Sequence, residues 1–114
     1  MEAKDRLGQE YIASNGRNNF RRWFEDLKNL KVQAKVDIRI ARLRLGNFGD
    51  VKSIGRDVFK LRFKIGSGYR IYYGLDGDKI VLLLCGGDKK SQKADIKLAK
   101  RLWENCKEER QWQP

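Results

Sequence analysis

Two short runs of alternating apolar and polar residues, followed by one continuous apolar run, lie in the second half of the chain. Alternation with a period of two places every second side chain on one face of a strand. The runs therefore predict strands at Val58–Lys64, Tyr69–Leu75 and Lys79–Cys85. Ile65–Gly68 supplies two glycines for the first turn, and Asp76-Gly77 is typical of a two-residue hairpin turn. The chain must accordingly build an antiparallel meander and cover it with its remaining segments.

The turn centred on Gly66 sets the register of the first hairpin. An odd loop centred there pairs Leu61 with Ile71, and a slip of one residue would drive cations into the core. The same register places four polar residues on the opposite face: Lys60 opposite Tyr72, and Arg62 opposite Arg70. Facing like charges cost stability, so this face predicts an anionic ligand. The alternative is an ordinary solvated strand face.

Residues 17–45 contain neither Gly nor Pro and predict two helices. Phe20, Trp23, Phe24 and Leu27 recur at the spacing of an amphipathic helix. A turn around Lys28–Leu30 would lead into the second helix.

The second helix is less clear, because residues 30–40 also alternate as a strand would. The length of the segment, its Ala, Lys, Arg and Leu content and the Gly46-Asn47 stop favour a helix. The stripe expected to be buried comprises Leu30, Ala34, Ile38, Ala41 and Leu45.

Weaker signals complete the topology. Leu7 to Ala13 predicts a first strand, Gly46–Asp57 a loop, and Gly86-Gly87 a break in the sheet. The order is strand, two helices, three strands and one helix, which predicts an α+β domain. We expect residues 1–114 to form this single domain, with a small, mainly antiparallel twisted sheet of about four strands.

A final helix is expected to begin with Asp88 or Ser91 as its cap and to run to about Cys106. Residues 107–114 are expected to fray. The predicted buried stripe comprises Ile96, Ala99, Leu102, Trp103 and Cys106.

The composition favours one class of partner and excludes several kinds of catalytic and metal site. The chain has 26 Lys and Arg against 15 Asp and Glu, a net charge of +11, which favours a polyanionic partner such as RNA. The absence of His excludes His-based catalysis and Cys2His2 zinc sites. Cys85 and Cys106 lack metal-binding spacing and are typical of reduced thiols in a cytoplasmic protein. We expect no cofactor and no metal.

Membrane association is not expected. The longest apolar run, Ile80–Cys85, is far too short to span a bilayer, and the first residues do not resemble a signal peptide.

A second basic cluster, Lys89, Lys90 and Lys93, surrounds the start of the last helix. A helix N-terminus attracts anions, whereas lysines there gain nothing from the helix dipole. Phosphate binding and a solvated surface patch both explain this cluster. Together with Lys64 on the hairpin, these lysines are candidate RNA contacts.

Four motifs in series resemble a known superfamily. They are GNFGDVK at residues 46–52, LRF at 61–63, GSGYRIYY at 66–73 and LLLCGGDKKSQ at 82–92. Together they resemble the RelE/ParE toxins, in particular the HigB-like addiction module killer branch of bacterial type II toxin–antitoxin systems. The resemblance covers about residues 8–103 and implies a RelE-like fold with two N-terminal helices and one C-terminal helix, which favours a helix at residues 30–45.

The resemblance also implies a function. RelE-like and HigB-like members cleave mRNA in the ribosomal A site, whereas ParE-like members inhibit DNA gyrase. The alternatives are therefore a ribosome-dependent endoribonuclease, a gyrase inhibitor without nuclease activity, and a plain RNA-binding module. The implied partners are mRNA on the ribosome and a cognate antitoxin, a small helix-turn-helix protein with an acidic segment. The free toxin is expected to be a monomer.

By motif position, the family's functional basic residues fall on Lys60, Arg62, Arg70 and Lys89. Asp95 falls near the place where the RelE branch carries a catalytic tyrosine. Tyr72 is a further candidate, either to stack on a base or to donate a proton. The predicted catalytic set is therefore Lys60, Arg62, Arg70, Tyr72, Lys89 and Asp95.

Overall fold

A five-stranded sheet lies at the centre of the fold, and helices cover both of its faces. The computed structural model of the chain describes residues 7–76 and 80–111. In chain order the elements are β1 (Leu7–Glu10), α1 (Asn19–Asp26), α2 (Leu30–Arg44), β2 (Val51–Gly55), β3 (Val58–Arg62), β4 (Arg70–Asp76), β5 (Ile80–Gly87) and α3 (Gln92–Gln111). The sheet order is β1-β5-β4-β3-β2, with β1 parallel to β5 and the other pairs antiparallel. The predicted α+β class is confirmed.

The predicted register of the first hairpin is confirmed. Leu61 pairs with Ile71 and Arg62 with Arg70 across β3 and β4. Gly66 and Gly68 both adopt positive φ, as their turn requires. The second predicted turn, at Asp76-Gly77, lies partly outside the described residues.

The prediction of a loop from residue 46 to residue 57 is wrong, because β2 lies within it and forms a fifth strand beside β3. A two-residue turn of Arg56 and Asp57 joins β2 to β3, and both residues have φ near +60°. Hairpin turns of this shape usually contain Asn and Gly. An Arg-Asp turn therefore carries no sequence signal for the hairpin.

The two faces of the sheet carry separate cores. One face packs against α1 and α2, and the other packs against α3. The first core comprises Phe20, Val32, Val36, Leu43, Leu61, Phe63, Ile71, Tyr73, Val81 and Leu83. The second comprises Tyr11, Val58, Tyr72, Leu82, Leu84, Cys85, Ala99, Leu102, Trp103 and Cys106. Both cysteines are buried free thiols.

The helical assignment of α2 is confirmed, but its predicted buried stripe is wrong. Val32, Val36 and Leu43 face the sheet. All five residues of the predicted stripe are exposed, including Leu30 at 79% and Ile38 at 51%. The helix therefore has apolar residues on two faces, and only contact with the sheet decides which face is buried.

The glycine pair at the end of β5 does not break the sheet as predicted. Gly87 pairs with Arg70 and Gly86 with Ile71. The register shifts at Leu84, so Leu84 and Cys85 both join the core under α3. Past this bulge, a Cβ on Gly86 would overlap the Trp23 ring, and one on Gly87 would overlap the Asp95 carboxylate. The pair thus allows close approach on both faces.

Both predicted caps of α3 take part in one reciprocal motif. The Asp88 carboxylate accepts hydrogen bonds from the backbone N–H groups of Lys90 and Ser91, and the Ser91 hydroxyl accepts one from the N–H of Asp88. The helix continues to Gln111, past its expected end near Cys106, and the fraying of the tail stays a prediction. Within this last stretch, Glu109 accepts a hydrogen bond from the Tyr11 hydroxyl at 3.0 Å. Residues 112–114 lie outside the described range.

Candidate active site

Lys60 lies under the start of α3 rather than on an open sheet face. Its side chain is only 9% exposed, and Nζ donates a hydrogen bond to Oε1 of Gln92 at 2.8 Å. Burial lowers the pKa of Lys60, and the nearby guanidinium groups of Arg70 and Arg62 lower it further. Such an ammonium loses its proton more readily than a solvated lysine does.

Tyr72, opposite Lys60, is completely buried within the α3 core. The prediction that its ring stacks on a base is therefore wrong, since α3 covers the ring. Its hydroxyl has no hydrogen-bond partner among the described residues. Burial raises the pKa of Tyr72 to about 12, and the carboxylate of Asp95 adds to this effect. Tyr72 is thus a neutral core residue next to the candidate site.

Arg62 is held by a carboxylate that no sequence pattern had indicated. Nη2 and Nε of Arg62 donate to Oδ1 of Asp50 at 3.0 and 3.2 Å. The hydrogen bond from Arg62 lowers the pKa of Asp50. Asp50 belongs to the first of the four motifs, but the motif gives no sign that its carboxylate lies beside the cations.

Arg39 of α2 supports the same end of β3. Nη1 donates to the backbone carbonyl of Arg62 at 3.0 Å, and the guanidinium lies 4.9 Å from the centre of the Phe63 ring. The half-buried side chain thus bridges α2 and the sheet.

Arg70 occupies the start of β4, directly opposite Arg62. Nη1 donates to the carbonyl of Gly68 at 2.7 Å, while Nε is buried and has no partner among the described residues. Lys89 joins the same corner, because its backbone N–H donates to the Ser67 carbonyl at 3.4 Å. The hairpin turn and the approach to α3 therefore meet beside Arg70.

A cavity of about 220 Å³ lies between these cations. It is lined by Asp50, Arg62, Phe63, Lys64, Gly68 and Arg70. Three cationic side chains face one carboxylate, so the cavity keeps an excess of positive charge suited to a phosphate. Of the four residues predicted to share one sheet face, Arg62 and Arg70 line this cavity, whereas Lys60 and Tyr72 do not.

Asp95 lies in the first turn of α3, and the Ser91 hydroxyl donates a hydrogen bond to its Oδ2. Burial raises the pKa of Asp95, and the carboxylate of Asp88 adds to this effect, while the Ser91 hydrogen bond opposes it. Gly87 of β5 permits this close packing. Asp95 thus packs against Ser91 and Gly87 and interacts electrostatically with Asp88, Tyr72 and Cys85.

The raised pKa of Asp95 predicts a dependence of stability on pH. Above the pKa of an ordinary aspartate the unfolded chain releases this proton more readily than the folded chain does, so rising pH costs the fold stability. We expect Asp95→Asn to be more stable than the wild type at pH 7, and this gain to shrink below about pH 4. Urea unfolding at pH 7 and below about pH 4 measures the difference in the free energy of unfolding between Asp95→Asn and the wild type, with exposed Asp37→Asn as the control. A gain that is equal at both pH values would contradict the prediction.

Lys90 and Lys93 are exposed. Lys90 lines an open groove of about 560 Å³ that also contains Trp23, Tyr69 and Ser91. Lys93 lies on the outer side of α3 and does not line the 220 Å³ cavity.

Comparison of the chain with known protein families gives a match. The chain matches the phage-derived protein Gp49-like family (DUF891) over residues 22–104. The chain belongs to this family. The Gp49-like family is a RelE-like toxin family of toxin–antitoxin systems, which supports the wider part of the resemblance found in the sequence. The matched range includes β3, β4 and the start of α3, which together carry the candidate site.

An uncharacterised protein of Haemophilus influenzae is 51% identical over 83 residues, which cover 73% of this chain and 84% of the relative. No solved structure matches the chain significantly.

The Gp49-like chain contains no cluster of Cys, Asp and Glu suited to a metal within residues 7–76 and 80–111. None of the helices in those ranges combines the length and apolar character needed to cross a bilayer.

Proposed function

We propose that this Gp49-like protein is the toxin of a type II toxin–antitoxin system and inhibits translation by cleaving mRNA on the ribosome. The observation that carries the proposal is the facing pair Arg62 and Arg70, which line one cavity with Lys64. Facing cations are unfavourable in the free protein and become favourable when an anion lies between them. The family assignment supplies the toxin class, and the cavity supplies the candidate phosphate site.

The phosphate role divides between the two arginines. Among the described residues, the Arg70 guanidinium is anchored only through Nη1, to the Gly68 carbonyl, so it keeps donors for phosphate oxygens. Arg62 is oriented by Asp50 and half exposed. Stabilising the negative charge that develops on phosphorus is usually the largest contribution to such a reaction.

Proton transfer is assigned to Lys60. Its lowered pKa increases the neutral fraction of Lys60 that can accept a proton. Lys60 lies two residues before Arg62 on β3, so both side chains belong to the same face of the sheet. Asp95 is the alternative base, since its carboxylate lies at the start of α3. The hydrogen bond from Lys60 to Gln92 joins these two regions.

The proposed reaction needs no metal. Neutral Lys60 removes the proton of a ribose 2′-hydroxyl, and the 2′-oxygen forms a bond to the adjacent phosphorus. The bond from phosphorus to the 5′-oxygen breaks, and that oxygen takes a proton from solvent water. The products are a 2′,3′-cyclic phosphate and a 5′-hydroxyl, and Lys60 returns its proton to solvent.

Primer extension on cellular mRNA after induced expression tests the proposed function. We expect new 5′ ends within translated codons, and their loss when translation initiation is blocked. Intact mRNA accompanied by gyrase arrest would instead identify a gyrase inhibitor. Binding of RNA with neither effect would identify an RNA-binding module.

Substitution of Lys60 separates its proton-transfer role from its charge. We expect Lys60→Met and Lys60→Arg both to lower cleavage by about 10²–10⁴-fold, because neither side chain can accept the proton. The measurement is the single-turnover rate against pH with programmed ribosomes, and the wild-type rate should rise with pH until Lys60 is deprotonated. A fully active Lys60→Arg variant would show that only the positive charge matters.

The partners follow from the same proposal. The ribosome-bound mRNA supplies the anionic substrate, and a cognate antitoxin with an acidic segment covers the cationic surface in the resting cell. A net charge of +11 favours rapid association with both.

A further inference from the structure

The outer face of α2 carries an apolar stripe that nothing in the described part of the chain covers. Leu30 is 79% exposed, Ile38 51% and Leu45 52%. These three account for most of the large apolar side chains that are strongly exposed in residues 8–76 and 81–109. Ala34 and Ala41 complete the stripe and are exposed as well.

The stripe has the geometry of a helix-binding face. Its members are spaced by four, four, three and four residues, so they lie along one side of the helix. At 3.6 residues per turn, this side is roughly opposite the one that Val32, Val36 and Leu43 turn towards the sheet. The two small alanines between the larger residues allow a second helix to approach closely.

Basic residues line one edge of the stripe, whereas the opposite edge carries the exposed Asp37 and the half-buried Arg44. Lys31, Lys35 and Arg42 follow the same edge of the stripe and are all exposed. Beyond this edge lies a cavity of about 330 Å³ with basic and apolar walls. Its walls include Lys35, Ile38, Arg42, Phe63, Lys64 and Ile65.

We propose that the outer face of α2 is a docking surface for an amphipathic helix whose apolar side is flanked by carboxylates. The helix belongs to the acidic protein that neutralises the toxin, and this last identification rests on the proposed function. The apolar stripe supplies contact area, and the basic edge selects an acidic flank over a neutral or basic one.

The charge and composition of this face favour an acidic helix as its partner over a second copy of this chain or a membrane surface. A second copy of this chain would bring together two molecules that each carry +11. A membrane surface is disfavoured because the stripe contains no aromatic residue and only three large apolar side chains. An acidic helix satisfies both the stripe and its basic edge.

The surface also leads towards the candidate active site. Phe63 and Lys64 line both the 330 Å³ cavity beside α2 and the 220 Å³ cavity that contains Arg62 and Arg70. An acidic chain that leaves the docked helix near Lys64 is therefore directed towards the phosphate cavity. Binding at α2 is expected to anchor the segment that blocks the site.

A synthetic peptide tests the docking surface without relying on catalysis. The probe is a labelled helical peptide of about 18 residues, a little longer than the exposed stripe, with Leu spaced as in the stripe and Glu along both flanks. A matched peptide carries Lys in place of Glu. Fluorescence anisotropy with the full chain is expected to show saturable binding of the Glu peptide, at least about tenfold tighter than the Lys peptide.

Variants of the protein locate the binding. Ile38→Glu is expected to weaken binding of the Glu peptide by about tenfold or more, because a charge would be buried in the contact. Ile12→Glu, at a side chain that is 62% exposed outside α2, is the matched control and should leave binding unchanged. The double variant Lys35→Glu and Arg42→Glu should reverse the preference between the two peptides. Circular dichroism checks that each variant is folded.

Three results would overturn the proposal. They are equal binding of both peptides, binding unaffected by Ile38→Glu, and no binding at all. A dimer in sedimentation that Ile38→Glu dissociates would assign the face to a second copy instead, and Ile38-dependent binding to anionic vesicles without peptide binding would assign it to a membrane. Cleavage of mRNA is measured separately, so a toxin that is active but binds no peptide refutes the docking surface alone.

Discussion

Replacement of Arg70 by alanine is expected to lower mRNA cleavage by about 10²–10³-fold and to remove growth inhibition. Arg70 lines the candidate phosphate cavity and has donor capacity that no described residue uses. Its loss would remove charge stabilisation from the transition state while leaving both cores intact. The measurements are primer extension in cells and the single-turnover rate on programmed ribosomes.

Two further variants make this result specific. Arg101→Ala removes an exposed arginine from α3 and should leave cleavage unchanged. Arg70→Lys should recover only part of the activity, because an ammonium cannot make the paired hydrogen bonds of a guanidinium. A fully toxic Arg70→Ala variant with a native circular dichroism spectrum would refute the assignment of the phosphate site.

Replacement of Gly74 by alanine is expected to destabilise the protein by about 3 kcal/mol, at the upper end of the range for overpacked cores. A Cβ on Gly74 would overlap the indole ring of Trp103, which is 4% exposed in the core under α3. Neither the central strand β4 nor the buried ring has room to move away. The measurement is the free energy of unfolding in urea.

A double variant and a loop glycine provide the controls. Gly74→Ala combined with Trp103→Phe should recover part of the lost stability, because the smaller ring relieves the overlap. Gly16 has φ of +85°, and a Cβ at this position would meet no other atom within 4 Å. Gly16→Ala should therefore cost only the backbone strain of about 1 kcal/mol. Equal losses at Gly16 and Gly74 would show that contact with Trp103 is not the cause.

Periodicity predicted the elements well wherever local residues decide the structure. The β3–β4 register follows from the alternation around Gly66, since any slip would bury cations. The helix at residues 30–44 follows from its length and helix-forming residues. The strand β2 was missed because its Arg56-Asp57 turn has none of the residues that usually mark a hairpin.

The candidate site was predicted in part. The placement of Lys60, Arg62 and Arg70 on one sheet face required only the register of one hairpin. The missed partners come from distant segments: Asp50 from the approach to β2, Arg39 from α2 and Gln92 from α3. A contact between segments that are far apart along the chain has no local signal that would reveal it.

The sequence by itself determined the strands of the hairpin, their register, the polarity of each strand face and the excess of positive charge. Only the tertiary structure decided which polar residues are accessible and which apolar stripe is buried. Packing of α3 hides Tyr72 and most of Lys60 while Arg62 remains half exposed. Packing of α2 on the sheet buries Val36 and leaves Ile38 in solvent. The physical reason is that burial depends on which surfaces meet, and a residue pattern within one element does not contain that information.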